Sequence, residues 1–391
     1  MSFFSSLLSV SGGGSPPLGL YVHIPFCLSR CGYCAFVSGV YDRDAADRYL
    51  IVLENEVSSR SIFSSTRRPS TLFIGGGTPS ALSVEQLERL LAFLPFPEKG
   101  GEATCELNPD SASCEKMALL LAAGVNRCSF GVQTFCDRGL ELLQRRHNAE
   151  CARDAVRGAV AMGFSSVNLD LIVGWPGQKW EDVERDLRTA VELGVTHLSC
   201  YQLILEDESA CYEQYRAMSE LSEDQERELW DNVESFMEHH GFEHYETSNF
   251  ARPGYRCIHN YDTWRGCDYL GIGLGAHSHI GGRRFANTSD LAVYLASGGR
   301  ADRLEAMCEE LDSLSKAREC AVFWLRLFEG IKRSEFRERA GVDLFDLYPD
   351  ILPAMVERGI MERAMNSVGE EYIRVAREYH PILDSLLADL V

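Results

Sequence analysis

Short apolar runs alternate with longer amphipathic stretches through the first half of the chain. Apolar runs of about four to eight residues rich in β-branched side chains are typical of buried strands, whereas apolar positions three and four apart are typical of helices. The strand-like runs cover residues 18–24, 71–75, 102–106, 127–132, 166–173 and 196–203. The helix-like stretches between them cover residues 43–59, 84–94, 111–123, 137–142, 148–162 and 180–193. This order predicts an α/β fold with a parallel sheet, which is a partial (β/α)6 barrel if the sheet curves.

The pattern changes after residue 203. One acidic amphipathic helix is predicted over 222–240, and a seventh strand-like run ends near residue 250. A following segment is dense in His, Tyr, Trp and Gly, which suits either a loop around a flat aromatic ligand or a packed irregular core. The predicted parts of the chain are a loose, disordered tail over 1–17, the barrel over 18–250, the connecting segment over 251–302 and a mostly helical, winged-helix-like domain over 303–391.

Charge and cysteine usage narrow the functional classes. The formal net charge of −20 over 391 residues disfavours nucleic acid and anionic lipid as partners, because both require basic surface. No apolar run reaches the roughly 18 residues that a transmembrane helix needs, and the first twenty residues lack the basic and apolar parts of a signal peptide. Most of the fourteen cysteines are scattered singly, as in proteins of a reducing compartment. We therefore expect a cytoplasmic protein.

One short segment concentrates the candidate chemistry. Cys27, Cys31 and Cys34 follow the first strand-like run with the spacing C-x3-C-x2-C. A loop this short can turn three sulfurs toward one point, where they could ligate three corners of a [4Fe–4S] cluster and leave one iron open. A zinc site is the alternative, although zinc usually requires a fourth Cys or His. The odd number of thiols disfavours a disulfide.

Further candidate residues follow the other predicted strands, at the end of the sheet where ligands bind in such folds. They are Gly76, Gly77 and Thr78 after the second strand, Glu106 at the third, Gln133 at the fourth, Arg145 twelve residues later and Asp170 in the fifth. Each position has a structural alternative, such as a plain turn, a solvated acid or an exposed helix charge. Asp170 interrupts an apolar run, and burying it without a partner would be costly.

Taken together, these motifs resemble the oxygen-independent coproporphyrinogen III oxidase family of radical S-adenosylmethionine (radical SAM) proteins, from about residue 18 to about residue 390. The matching motifs are Cys27-x3-Cys31-x-Tyr33-Cys34, Gly75-Gly76-Gly77-Thr78-Pro79-Ser80, Glu106-x-Asn108-Pro109, Gly131-Val132-Gln133, Arg145-x-His147, Asp170-Leu171-Ile172-x-Gly174-x-Pro176-Gly177 and Tyr245-Glu246-x-Ser248-Asn249-Phe250.

The resemblance implies that the three cysteines hold a [4Fe–4S] cluster and that S-adenosylmethionine chelates its open iron. It implies a cofactor site lined by Tyr21, Tyr33, Gly76, Gly77, Thr78, Glu106, Gln133, Arg145 and Asp170. These roles are chemically reasonable, because glycine backbone can approach a ligand closely, carboxylates suit an ammonium or ribose hydroxyls, and a guanidinium suits a carboxylate. Such a cluster also implies an electron donor.

Two sequence features, one single residue and one six-residue motif, distinguish the branches of that family. The porphyrinogen-oxidising members carry a fourth cysteine where this chain has Phe36, and the heme-chaperone members carry an H-N-x-x-Y-W motif. His259-Asn260-Tyr261-Asp262-Thr263-Trp264 matches that motif except that Thr263 replaces the tyrosine. The resemblance therefore implies a chaperone that binds heme and passes it to an acceptor such as a respiratory protein.

His259 is the predicted heme contact, because neutral imidazole is the usual protein ligand of heme iron. The alternative for this residue is a histidine that only makes structural hydrogen bonds. The alternative for the protein is a radical SAM enzyme acting on a tetrapyrrole, either as a coproporphyrinogen III dehydrogenase or as a heme methylase.

Overall fold

The computed structural model describes residues 17–60, 62–63, 67–203, 222–366 and 368–390. The tail predicted over 1–17 lies outside the described residues except for its last position. The strands are β1 (Leu18–Ile24), β2 (Phe26–Cys27), β3 (Gly39–Val40), β4 (Thr71–Gly76), β5 (Glu102–Leu107), β6 (Arg127–Gln133), β7 (Ser166–Val173), β8 (His197–Gln202), β9 (Glu243–His244), β10 (Asn249–Ala251), β11 (Asp268–Ile272), β12 (His277–Ile280), β13 (Arg283–Asn287), β14 (Glu305–Glu310), β15 (Ile331–Lys332), β16 (Met361–Met365) and β17 (Glu371–Val375).

The α-helices pack around these strands and connect them. They span Arg43–Arg60, Val84–Phe93, Cys114–Ala123, Asp137–Leu142, Ala149–Met162, Trp180–Glu192, Glu223–His239, Ile258–Trp264, Leu291–Ala296, Ala301–Leu304, Ser313–Trp324, Arg333–Ala340, Leu344–Leu347, Ile351–Glu357 and Leu383–Ala388. Short 3-10 helices span Pro79–Ala81 and Arg377–Ile382. Several helices begin at a capping side chain, as at Ser83, Ser113 and Asn148, because such a side chain satisfies a backbone N–H group of the first turn.

The predicted barrel is confirmed. The six predicted strands correspond to β1 and β4 to β8, and they pair in parallel in chain order. Helices return between successive strands, as a parallel sheet requires. Their apolar faces bury a core that includes Ile74, Leu90, Phe130 and Leu169. All six strands therefore end at the same edge, which also carries the cysteine loop.

The large sheet continues beyond these six strands. On one side β11 pairs in parallel with β1, and β12, β13 and β14 follow with antiparallel pairing. On the other side β10 and β9 add antiparallel to β8. The glycine-rich segment thus forms strands, and the sheet runs to Glu310, past the boundary predicted at 302–303. The sequence does not reveal β14, because five of its six residues are exposed and it lacks an apolar alternation.

The carboxyl-terminal part forms a second, smaller core. β15, β17 and β16 make a three-stranded antiparallel sheet, against which helices pack around Trp324, Phe336, Leu352 and Ile373. This arrangement of helices with a small antiparallel sheet confirms the predicted winged-helix-like appendage. Among the described residues, no helix combines the length and the apolar character needed to cross a membrane.

Candidate cluster and cofactor site

The cysteine loop leaves the carboxyl end of β1 and is closed at its base by backbone pairing. β2 and β3 pair in parallel, and the N–H group of Tyr41 donates to the carbonyl of Cys27 at 2.8 Å. Between them Cys27, Cys31 and Cys34 are half-buried free thiols. Burial raises the pKa values of Cys27 and Cys34, and the neighbouring thiols of the trio raise them further. The three thiols therefore lie on one short loop, near enough for their charges to interact.

Hydrogen-bond donors surround these sulfurs. Arg145 donates to the Sγ atom of Cys31 at 3.0 Å, and the hydroxyl of Thr78 donates to the Sγ atom of Cys27 at 3.6 Å. Among the described residues, no group of three or more His, Cys, Asp or Glu side chains is arranged to hold a metal ion as it stands. The donor set still fits a cluster bound by thiolates, because a cation and a hydroxyl beside sulfur stabilise its anionic form.

The glycine turn after β4 packs directly against this loop. The N–H group of Gly77 donates to the carbonyl of Ile24 at 2.9 Å, and a Cβ atom on Gly77 would come within 3.0 Å of the Sγ atom of Cys27. Gly76 has a φ of +111°, a conformation that favours glycine, and its N–H group donates to Glu106 at 3.0 Å. The predicted glycines are therefore required by close backbone approach.

Two buried carboxylates, Glu106 and Asp170, lie near enough inside the barrel for their charges to interact. Burial and the nearby charge of Asp170 raise the pKa of Glu106 to about 8. Burial also raises the pKa of Asp170, which accepts hydrogen bonds from Asn168 at 2.9 Å and from Ser129 at 3.4 Å. Buried acids with incomplete partners are suited to accept from a ligand's ammonium or hydroxyl groups.

The two predicted tyrosines also lie at this end of the barrel. The hydroxyl of Tyr21 lies 3.0 Å from the Nδ1 atom of His23, and burial raises the pKa of Tyr21. Tyr33 packs against Ile172 and Trp175, and burial likewise raises its pKa. Both phenols therefore stay protonated at neutral pH and present uncharged aromatic surface.

Arg145 is held between the cysteine loop and the ends of β5 and β6. Besides Cys31, its guanidinium donates to the Oδ1 atom of Asn108 at 2.8 Å and to the carbonyl of Gly131 at 2.6 Å.

The end of β6 is irregular: Gln133 has a φ of +71° and lies at a register shift in the pairing of β6 with β7. A Cβ atom on Gly131 would meet Asn108, Gln133 and Arg145. Asn108 and Gly131 were missed as site residues, although each stands two positions from a residue that was predicted.

His259 lies at the opposite end of the barrel. Its Nδ1 atom is 2.8 Å from the hydroxyl of Thr71, and its backbone N–H group donates to Glu102 at 2.9 Å. Thr71 and Glu102 are the first residues of β4 and β5, so this position is at the amino ends of the strands. Burial lowers the pKa of His259 to about 4. This geometry matches the structural alternative for His259. Gly77, Thr78 and Arg145 contact the cysteine loop itself, whereas Asp170 lies inside its strand β7.

The end of the His259–Trp264 motif points toward the carboxyl-terminal core. The hydroxyl of Thr263 donates to the carbonyl of His259 at 2.9 Å, which is a common use of threonine inside a helix. The indole of Trp264 packs edge-on against Phe323, with ring centroids 6.0 Å apart. The motif therefore joins the base of the barrel to the helix Ser313–Trp324.

The barrel, with its cysteine loop and glycine turn at one edge, defines a radical SAM protein. The model of the Radical SAM superfamily matches residues 21–190. The solved structure of coproporphyrinogen III oxidase (HemN) from Escherichia coli, described as a radical SAM enzyme, is similar with a TM-score of 0.83. It is 25% identical in sequence, and the match covers 96% of this chain and 90% of that chain.

Sequence relatives narrow this class further. The heme chaperone HemW of Bacillus subtilis (strain 168) is 35% identical over 354 residues, which cover 89% of this chain and 93% of that protein. The heme chaperone HemW of Escherichia coli (strain K12) is 34% identical over 383 residues, which cover 95% of this chain and 97% of that protein. The chain belongs to the HemW family of radical SAM proteins.

Proposed function

We propose that this protein is a heme chaperone, which binds heme and transfers it to an acceptor protein such as a respiratory hemoprotein. The observation that carries the proposal is the similarity to heme chaperone HemW proteins over nearly the whole of both chains. Phe36 supports the proposal, because it stands at the position where the porphyrinogen-oxidising branch carries a further cysteine. The residue is 67% exposed.

In this proposal, Cys27, Cys31 and Cys34 hold a [4Fe–4S] cluster, and S-adenosylmethionine binds at its open iron. When bound and reduced, such a cluster supplies an electron to the sulfonium of S-adenosylmethionine. The chain's own residues orient the cofactor: Glu106 and Asp170 accept from its polar hydrogens, and the glycine turn lets it approach the backbone.

The cluster also requires an electron donor, which we take to be a separate redox protein. We place the protein in the cytoplasm, because a reducing compartment keeps thiols available for a cluster, and every described cysteine is a free thiol.

The cluster assignment is tested by anaerobic reconstitution of wild type, a Cys27→Ser/Cys31→Ser/Cys34→Ser variant and the matched single variant Cys114→Ser. Cys114 is an exposed cysteine outside the loop. Wild type and Cys114→Ser should each bind on the order of four iron and four sulfide per chain, whereas the triple variant should bind almost none. Equal iron and sulfide in all three proteins would contradict the assignment.

The chaperone role is tested on the same cluster-loaded wild type. Heme titration should produce a new Soret band, and the bound heme should pass to a heme-free acceptor protein added afterwards. Incubation with coproporphyrinogen III, S-adenosylmethionine and reductant should give no protoporphyrinogen. Turnover of the porphyrinogen would instead support the dehydrogenase alternative, and absence of any Soret change would remove the basis for a chaperone.

A further inference from the structure

A cavity of about 450 Å³ lies between the antiparallel extension of the large sheet and the carboxyl-terminal domain. One wall is formed by β11 to β14, and the other by the helices Ser313–Trp324 and Arg333–Ala340. Tyr269 lines the cavity and pairs with Gly19 near the start of β1. The cavity is therefore separate from the cysteine loop, which follows the other end of that strand.

The sheet wall is one continuous face. His279 of β12 pairs with Tyr269 on one side and with Arg284 on the other, and Arg284 pairs with Glu309 of β14. Because alternate residues of a strand face the same side, His277 and Met307 lie on this face as well. Met307 is 43% exposed and His277 is exposed, so the cavity opens to solvent beside them.

The helix wall supplies apolar and cationic groups. Lys316, Cys320 and Phe323 of the helix Ser313–Trp324 line the cavity, and their spacing of four and three residues places them on one helical face. Lys316 makes no ion pair within the described part of the chain, whereas Arg284 pairs with Glu309 and with Glu319, each at 2.6 Å. Arg339 also lines the cavity and pairs with Glu335 at 3.1 Å. Among the lining cations, Lys316 is therefore the one that an anionic ligand group can meet without breaking an ion pair of the described residues.

His279 is the unusual residue of this cavity. It is 8% exposed, and its Nε2 atom is buried without a hydrogen-bond partner among the described residues. A buried nitrogen without a hydrogen-bond partner calls for an explanation, and a bound metal ion is one such explanation. Its Nδ1 atom lies 3.9 Å from the Oδ1 atom of Asp268. Metal-binding histidines commonly have a carboxylate beside the ring nitrogen that does not bind the metal, and Asp268 lies on that side of His279, beyond hydrogen-bonding distance.

These features describe a ligand with three properties. A large apolar body would pack against Tyr269, Met307 and Phe323. An anionic edge would lie beside Lys316, and a metal ion would be coordinated by the unpartnered Nε2 atom of His279. The volume lies in the range of roughly 300–1,000 Å³ that small-molecule and cofactor pockets occupy. A metalloporphyrin with carboxylate side chains has all three properties, since heme iron is commonly held by histidine.

We propose that this cavity is the heme site, with the Nε2 atom of His279 as axial ligand of the iron and Lys316 facing the carboxylates. This inference rests on the proposed function, because it assigns a site to the heme of the chaperone. Thr263 and Trp264 also line the cavity, so the His259–Trp264 motif reaches this site through its last residues while His259 itself is held at the base of the barrel.

The test compares heme binding by wild type, His279→Ala and His279→Gln. His239→Ala is the control, because His239 is an exposed helix residue. His259→Ala tests the alternative that His259 is the heme ligand. Soret absorption and electron paramagnetic resonance report the axial ligand independently of any radical SAM activity. His279→Ala and His279→Gln should bind heme on the order of 10-fold more weakly or worse with altered spectra. His239→Ala and His259→Ala should keep the wild-type spectrum, and added imidazole should restore it in His279→Ala.

The outcomes separate the two levels of the proposal. If wild type binds no heme, the proposed function fails and this inference fails with it. If wild type binds heme and both His279 variants bind it with wild-type affinity and spectrum, only the site assignment is overturned. Loss of the wild-type heme spectrum in His259→Ala would also overturn the site assignment. Should both His279 variants fail to fold, ¹⁵N-histidine hyperfine coupling is compared in wild type and His259→Ala. Coupling in both proteins supports His279, whereas its absence from wild type or its loss in His259→Ala overturns the assignment.

Discussion

At the scale of single residues, Arg145 connects the cysteine loop to the ends of β5 and β6, where we propose the cofactor site. Its guanidinium reaches Cys31, Asn108 and the carbonyl of Gly131. Because hydrogen bonds to charged groups contribute roughly 1.5–3 kcal/mol, Arg145→Ala should weaken S-adenosylmethionine binding by about tenfold or more. Equilibrium binding of S-adenosylmethionine to cluster-loaded protein under anaerobic conditions measures this effect.

The adjacent Arg146 is the matched control for that measurement. Its side chain is 57% exposed and pairs with Asp110 at 3.3 Å, so Arg146→Ala removes the same charge without touching Cys31. Arg146→Ala should bind S-adenosylmethionine as wild type does. If both variants lost the same affinity, the effect would reflect overall charge rather than the position of the Arg145 guanidinium.

Glu106 gives a residue-scale prediction about pH. Its pKa is raised from 4.5 to about 8 by burial and by Asp170, so between these values the folded state binds a proton that the unfolded state has released. The free energy of unfolding should therefore fall as pH rises from about 5 to about 8. Glu106→Gln removes this proton, and its free energy of unfolding should fall less over the same interval, with Asp170 supplying the remainder.

Urea unfolding without S-adenosylmethionine, at about pH 6 and about pH 8, checks this sign. Glu98→Gln provides the control, because the Glu98 side chain is 83% exposed and its replacement should leave the pH dependence as in wild type. Equal pH dependence in Glu106→Gln and wild type would show that the Glu106 carboxyl is ionised in the folded protein.

At the scale of elements, the packing of the glycine turn against the cysteine loop decides whether a cluster can be held. A Cβ atom on Gly77 would lie 2.9 Å from the backbone N and O atoms of Phe26 and 3.0 Å from the Sγ atom of Cys27. Since backbone atoms cannot yield as a flexible side chain does, Gly77→Ala should displace the loop. We expect most of the iron and sulfide to be lost while far-ultraviolet circular dichroism stays unchanged.

Gly39→Ala tests whether that loss is specific to the turn. Gly39 lies in β3, which closes the same loop, and a Cβ atom there would meet nothing within 4 Å. Gly39→Ala should retain wild-type iron and sulfide after reconstitution. Retention of the full cluster by Gly77→Ala as well would mean that the turn and the loop can separate without loss of the site.

The strands and helices differ in how well the sequence predicts them. The six parallel strands and their helices carry strong apolar periodicity, and helix starts such as Ser83 and Asn148 carry capping side chains, so their positions could be predicted closely. β12 and β14 lack that periodicity. β12 alternates histidine with other residues, and β14 is an exposed edge rich in glutamate, so their strand conformation depends on pairing with β11 and β13.

At the scale of the whole molecule, predictability depends on how the site is assembled. The proposed cofactor residues lie in or directly after consecutive parallel strands, so the order of strands along the chain brings Glu106, Asp170 and the cysteine loop to one part of the barrel. The cavity around His279 instead needs one wall from the extended sheet and another from the helix Ser313–Trp324. The sequence marks the segment around His279 as rich in His, Tyr, Trp and Gly, but it does not single out His279, since the burial of its unpartnered Nε2 atom depends on both walls.

This two-walled construction leads to a prediction for the intact protein. Phe285 and Leu270 anchor the sheet wall in the barrel core, whereas Ala317 and Trp324 anchor the helix wall in the carboxyl-terminal core. A ligand that touches both walls stabilises the folded state of the whole chain through its binding free energy. At about 100 times its dissociation constant, heme should raise the free energy of unfolding by ~2.7 kcal/mol.

Thermal unfolding followed by circular dichroism, with and without heme, measures that gain. His279→Ala should lose most of it at the same heme concentration, because the loss of an axial ligand weakens binding. S-adenosylmethionine should stabilise wild type and His279→Ala equally, because we propose its site beside the cysteine loop and not between the two walls. An equal heme-induced shift in His279→Ala and wild type would show that the heme does not bind between the two walls, since a ligand held there by the Nε2 atom of His279 cannot be insensitive to the loss of that side chain.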